Sequence, residues 1–127
     1  MSPEEVVTAF IEAIERKDVD AAVAMTADEV SYENMPIAPM VGHEALMQTL
    51  GAFLAPTEEV DWRILRQFAD GSTVFNERLD RFRIGHGWLE LPVAGVFEVD
   101  DDGKITLWRD YFDMGAYERQ LAALTSG

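Results

Sequence analysis

The chain has 127 residues, 48% of them hydrophobic and 27% charged, a balance that excludes a disordered segment and fits one domain over residues 1–127 with its own core. It has no cysteine, so disulfides, thiolate nucleophiles and cysteine metal sites are excluded, and His43 and His86 lie too far apart for metal-ligand spacing, so no metal site is expected. Acidic residues number 24 against 10 basic, and the net charge of −14 opposes binding to nucleic acid or to an anionic membrane. No signal-peptide pattern opens the chain and no apolar run is long enough to span a bilayer, so a cytoplasmic location is expected.

In chain order, Ser2, Pro3 and Glu5 form a capping-box start with proline at the first helical position. Val7, Phe10, Ile11 and Ile14 continue it as an apolar stripe at helical spacing, which Lys17 and Asp18 end. Residues 19–25 read as a second short helix, 25–28 as a turn, and 29–35 as a short extended segment with Val30, Tyr32 and Asn34 on one face. Pro36 and Pro39 mark a loop, Gly42 a breaker, and 43–54 a third amphipathic helix through Ala45, Leu46, Leu50 and Phe53.

Strands are then expected over 59–68, 73–84, 88–99 and 104–112, with turns at Asp70-Gly71, Gly85-His86-Gly87 and Asp101-Asp102-Gly103. A helix over 114–124 closes the chain, and 125–127 fray. Helices followed by a long antiparallel meander imply an α+β fold with helices packed on one face of a curved sheet. In 88–99 both faces are largely apolar: Leu89, Leu91, Val93, Phe97 and Val99 alternate with Trp88, Pro92, Ala94 and Val96. A half-solvated antiparallel strand alternates apolar with polar, so the second face is expected to be covered by another subunit, as a homodimer.

Ionisable residues stand where such strands should be dry. In VFNERLDRF (74–82), Asn76, Arg78 and Asp80 share a face with Val74 and Phe82. In ITLWRDYF (105–112), Asp110 lies between Trp108 and Phe112, a poor place for an unpartnered carboxylate. Tyr32 and Asn34 add two neutral groups able to hold a water. Arg-x-Asp on a strand is ordinarily a surface ion pair, and a carboxylate between aromatics a rim residue. Three such segments in one short chain suggest instead that they converge. Two carboxylates sharing one guanidinium retain one negative charge, which a single proton relieves; a protonated acid facing an ionised base is an acid–base pair. With no Gly-x-Ser-x-Gly elbow and no cysteine, water becomes the nucleophile.

Three stretches, YENMP (32–36), NERLD (76–80) and GVFEVDDDGKITLWRDYFD (95–113), resemble the limonene epoxide hydrolase family, and the similarity runs from about Pro3 to Leu121. The family belongs to a superfamily that includes ketosteroid isomerases and SnoaL-like cyclases. The resemblance implies a cone-shaped, nuclear-transport-factor-like α+β fold, with a strongly curved, mostly antiparallel sheet and three or four helices on its concave face. It implies one-step hydrolysis of a lipophilic epoxide to a vicinal diol without a cofactor. By the same resemblance Asp110 matches the base, Tyr32 and Asn34 the groups that hold the water beside it, Asp80 the acid, and Arg78 the bridge between the carboxylates.

Asn76 carries no family role and is expected to line the pocket. Trp62, Leu65, Phe82, Trp88 and Phe112 are candidate apolar lining, each with a core role as the alternative. Met35, with Met40 and Met47, is an adaptable lining candidate near the loop. His43 is expected to cap a helix or face solvent, and His86 to lie exposed in a hairpin turn. The limonene enzyme carries an additional N-terminal segment before the first helix; if it covers the pocket, substrate preference here differs. Two other readings stand beside the hydrolase. One is an isomerase or cyclase using a single aspartate as base, and the other a non-catalytic module holding a hydrophobic ligand.

Overall fold

A computed structural model describes residues 1–35 and 37–126; Pro36, expected in a loop, and Gly127, expected in the frayed end, lie outside the described residues. The elements are α1 (Pro3–Glu15), α2 (Val19–Ala24), β1 (Thr26–Met35), β2 (Met40–Val41), α3 (His43–Leu54), β3 (Glu59–Asp70), β4 (Thr73–Ile84), β5 (Gly87–Val99), β6 (Ile105–Tyr111) and α4 (Met114–Thr125).

The capping box at the start of α1 is formed in both directions. The Glu5 amide donates to Ser2 Oγ (3.2 Å) and the Ser2 amide to Glu5 Oε1 (2.9 Å), satisfying two otherwise orphaned donors. Lys17, at φ 61°, breaks the helical backbone, and Asp18 caps α2 by accepting from the Ala21 amide. Phe10, Ile11 and Ile14 are fully buried with Leu46 and Leu50 of α3, so α1 and α3 close over one face of the sheet.

The six strands run in the order β2-β1-β6-β5-β4-β3. β1 pairs with β6 in parallel and every other neighbouring pair is antiparallel. Two expectations change here. Of the turn expected at 25–28, only Met25 is one: β1 already begins at Thr26, which pairs with Ile105 across a register irregularity that ends at Ser31. This parallel pairing joins residues far apart in sequence and leaves no local signal. The two-residue β2, within the expected loop, pairs Val41 with Ser31 and Met40 with Tyr32. The fold is the α+β class expected, with β6, last in the chain, at the middle of the sheet.

Parity decides what faces the core. Along β4, Val74, Asn76, Arg78, Asp80, Phe82 and Ile84 are all buried, whereas the alternate positions from Phe75 to Arg83 are partly or fully exposed. In β3 the register shifts between Ile64 and Arg66, leaving Leu65 as an inserted residue. Beyond that bulge Gln67 faces inward opposite Asn76, and Phe68 faces outward opposite Phe75. The outer face carries exposed Leu65, Phe68, Phe75 and Tyr111, with the Phe68 and Phe75 rings stacked at 5.4 Å.

Candidate active site

The inner faces of β4 and β6 bring the ionisable residues together. Arg78, with no solvent exposure, uses Nε and Nη2 as a fork on Asp80, 2.9 Å to each carboxylate oxygen. The same Nη2 donates to Asp110 Oδ2 at 2.8 Å, so one guanidinium nitrogen joins both carboxylates. Nη1, on the opposite edge, donates to Asn76 Oδ1 at 2.9 Å. Asp110 receives a further bond at Oδ1 from the Trp108 indole (3.0 Å), the residue two before it on the same strand face. Such charge-assisted, fork-like bonds are the strong kind, and a buried arginine needs them.

Electrostatics follow from burial. Desolvation pushes the Asp80 carboxyl up to about 6, against the pull of Arg78; Asp110 and Glu15 reinforce the rise. For Arg78, burial favours the neutral form, but Asp110 and Asp80 outweigh it and hold the guanidinium charged. Burial drives the Tyr32 phenol well above its usual range, and Asp110 adds to this. Tyr32 therefore stays a neutral donor. Its ring is stacked on Trp108 at 4.1 Å, which fixes where the hydroxyl sits.

Above these groups lies a cavity of about 160 Å³, lined on its polar side by Tyr32, Asn34, Asp80 and Asp110. Of the apolar candidates, Trp62, Phe82 and Phe112 line it. Leu65 does not: it alternates with the inward-facing Trp62 and Ile64, so it points to the outer face and is 56% exposed. Trp88 lies instead beneath the Arg81 guanidinium, 4.3 Å from its carbon, and Met35 is exposed at the end of β1. Asn76 is buried but does not line the cavity; it stands behind Arg78. His43 bonds the Thr26 carbonyl, and His86 is exposed beside Ser126. Among the described residues, no group of three or more His, Asp or Glu is placed to hold a metal ion.

The remaining walls come from residues that the sequence did not assign to the pocket. Thr49 and Phe53 project from α3, Met114 and Tyr117 from α4, and Leu91 and Val93 from β5, with Ile37 at the mouth. Some signal existed: Leu91 and Val93 have inward parity, and Met114 and Tyr117 are one helical turn apart. Ile37 sits in irregular chain and had none.

Residues 1–122 match the family described as the limonene-1,2-epoxide hydrolase catalytic domain. Epoxide hydrolase EphG of Mycobacterium tuberculosis (strain ATCC 25618 / H37Rv) is 40% identical over 108 residues, 85% of this chain and 71% of that protein. A solved M. tuberculosis LEH-like epoxide hydrolase superposes with a TM-score of 0.79 at 37% identity, over 94% of this chain and 92% of its own. A SnoaL-like polyketide cyclase from Shewanella denitrificans OS-217 superposes with a TM-score of 0.85, over 95% and 97% of the two chains. At 14% identity, that likeness is one of fold alone. Match length and identity together place this chain in the limonene-1,2-epoxide hydrolase family.

Proposed function

We propose that the cavity hydrolyses an apolar epoxide to a vicinal diol in one step, with water as the nucleophile and no cofactor. The observation that carries this reading is the single buried guanidinium joining Asp80 and Asp110 at the base of an apolar cavity. Asp110 acts as the base. As the water oxygen bonds to a ring carbon, its proton passes to Asp110, held by the Trp108 indole on one oxygen and Arg78 on the other. Tyr32 and Asn34, on the neighbouring strand and in register with Trp108 and Asp110, hold that water.

The carbon–oxygen bond of the ring breaks as the new bond forms, and its electron pair stays on the ring oxygen. Protonation by Asp80 spares that oxygen the charge of a free alkoxide. The high proton affinity of the Asp80 carboxyl suits it to the acid role. Turnover leaves Asp110 protonated and Asp80 ionised, and proton exchange with solvent resets the pair. An aromatic and aliphatic lining from Trp62, Phe82, Phe53 and Leu91 favours a lipophilic substrate and excludes bulk water.

The test is diol formation from a panel of terpene, styrene, cyclohexene and sterol epoxides. Turnover of at least one is expected, abolished by either Asp80→Asn or Asp110→Asn. Folded protein inactive on all of them, or activity surviving one of the two substitutions, would overturn the reading. Survival would favour an isomerase or cyclase that needs one carboxylate.

We also infer a homodimer through the outer sheet face, where Leu65, Phe68, Phe75 and Tyr111 present large apolar side chains to solvent.

A further inference from the structure

A row of facing residues crosses the sheet at the level of the two carboxylates. Gln67 of β3 stands opposite Asn76 of β4, Asn76 opposite Gly95 of β5, Gly95 opposite Asp110 of β6, and Asp110 opposite Asn34 of β1. Facing side chains in neighbouring strands normally touch. In this row Gly95 leaves a gap, and the Arg78 guanidinium lies in it. A Cβ on Gly95 would collide with Arg78 Nη1 and come within 2.8 Å of Asn76 Oδ1 and 3.0 Å of Asp110 Oδ1. The notch is thus shaped for a flat guanidinium.

Behind the notch runs an uncharged chain of hydrogen bonds. Asn76 accepts from Arg78 at Oδ1 and donates from Nδ2 to Gln67 Oε1 at 3.0 Å. Gln67 in turn donates to Thr8 Oγ1 (3.0 Å) and to the Glu4 carbonyl (3.3 Å), both on α1. Each amide is therefore oriented by its next partner, and the chain ends on the rigid first helix.

We propose that Asn76, held by Gln67 and Thr8, is the positioning residue that keeps the Arg78 guanidinium in register with both aspartates throughout the reaction, in the space left by Gly95. The inference rests on the acid–base reading above. In that cycle the proton sits on Asp80 before ring opening and on Asp110 after it. Each carboxylate in turn loses its charge and with it much of its hold on the guanidinium. A guanidinium held only by the two aspartates would swing toward whichever remains ionised. The Asn76 amide does not titrate, so its grip on Nη1 is the same at both ends of the reaction. An aspartate in its place would add a third buried negative charge and strengthen proton binding at Asp80. The other charged groups facing Asp80 are Arg78 on its own strand, Asp110 on β6 and Glu15 on α1; Tyr32 on β1 is neutral.

Three variants, checked by far-UV circular dichroism, test this. Asn76→Ala should lower kcat about 10- to 100-fold, the loss of one hydrogen bond to a charged group, with KM within about twofold. Gln67→Ala, one bond further out, should give a smaller loss in the same direction. Asn76→Asp keeps the shape and the acceptor for Arg78 but loses the donor to Gln67, whose amide can turn to donate instead. This variant should raise the Asp80 titration midpoint, followed by ¹³C NMR of the carboxyl, by about one pH unit or more, and move the high-pH limb of kcat/KM with it. Unchanged kcat in Asn76→Ala, or an unmoved Asp80 midpoint in Asn76→Asp, would overturn the proposal. The NMR titration needs no turnover, so it decides this point even if the unaltered protein hydrolyses no epoxide.

Discussion

Asp80 and Asp110 are the same amino acid on the same guanidinium, yet their surroundings differ. Asp80 takes both of its charged bonds from Arg78, whereas Asp110 shares its bonds between Arg78 and the Trp108 indole. Burial raises the Asp80 carboxyl to about 6 from an ordinary 3.8. The folded state therefore binds this proton more tightly than the unfolded chain does. On this group alone, stability is greatest below the unfolded value and declines by about 3 kcal/mol as pH rises through the folded one. Urea unfolding between about pH 4 and 7 should show that decline, and Asp80→Asn, which cannot ionise, should flatten it. An unflattened profile would remove Asp80 as its source. If Asp80 is the proton donor proposed above, kcat/KM should fall as pH rises above about 6, and either Asp80→Asn or Asp110→Asn should reduce kcat by about 100- to 10,000-fold. Arg78→Met would leave two buried carboxylates without a cation, and a destabilisation of about 3–5 kcal/mol is expected in the same urea assay.

At the scale of elements, β4 was fully legible. Its alternation predicts Val74, Asn76, Arg78, Asp80 and Phe82 on one face, and all five are buried in the structure. The capping box and the apolar stripe of α1 were equally local signals. What escaped the sequence depended on distant partners. β1 starts at Thr26 because β6 lies beside it in parallel, and Gln67 turns inward and Phe68 outward because one extra residue is accommodated in β3. Asn76 read as lining because parity gives a face but not a depth, and its contact with Arg78 depends on the space at Gly95. The α1 stripe also bears on the site. Phe10 meets Trp108 edge-on at 5.0 Å, and Trp108 in turn bonds Asp110. Phe10→Ala should therefore cost about 3–5 kcal/mol in urea unfolding, whereas Ser2→Ala, which loses only the cap, should cost about 1 kcal/mol. Equal costs would contradict this ordering of packing over capping.

At the scale of the whole molecule, two faces of one sheet divide the work. The inner face carries the carboxylates, the guanidinium and the cavity, roofed by α3 and α4. The outer face leaves Phe68 60% and Phe75 38% exposed, stacked together on adjacent strands. Contiguous exposed apolar patches mark interaction sites, and the chain's net charge of −14 works against nonspecific association. Sedimentation at micromolar concentration should give a dimer, and Phe75→Lys, which places a charge in the patch, should shift it toward monomer. A monomer in the unaltered protein would remove the dimer.

In the proposed reaction, water activated between Asp110 and Asp80 attacks the epoxide directly. The most direct test is a single turnover in heavy-oxygen water, with mass spectrometry of both the diol and the peptides carrying Asp80 and Asp110. One heavy oxygen is expected in the diol and none in either peptide. Label in the carboxyl of Asp80 or Asp110 would mean that a covalent ester forms and that direct attack by water is wrong.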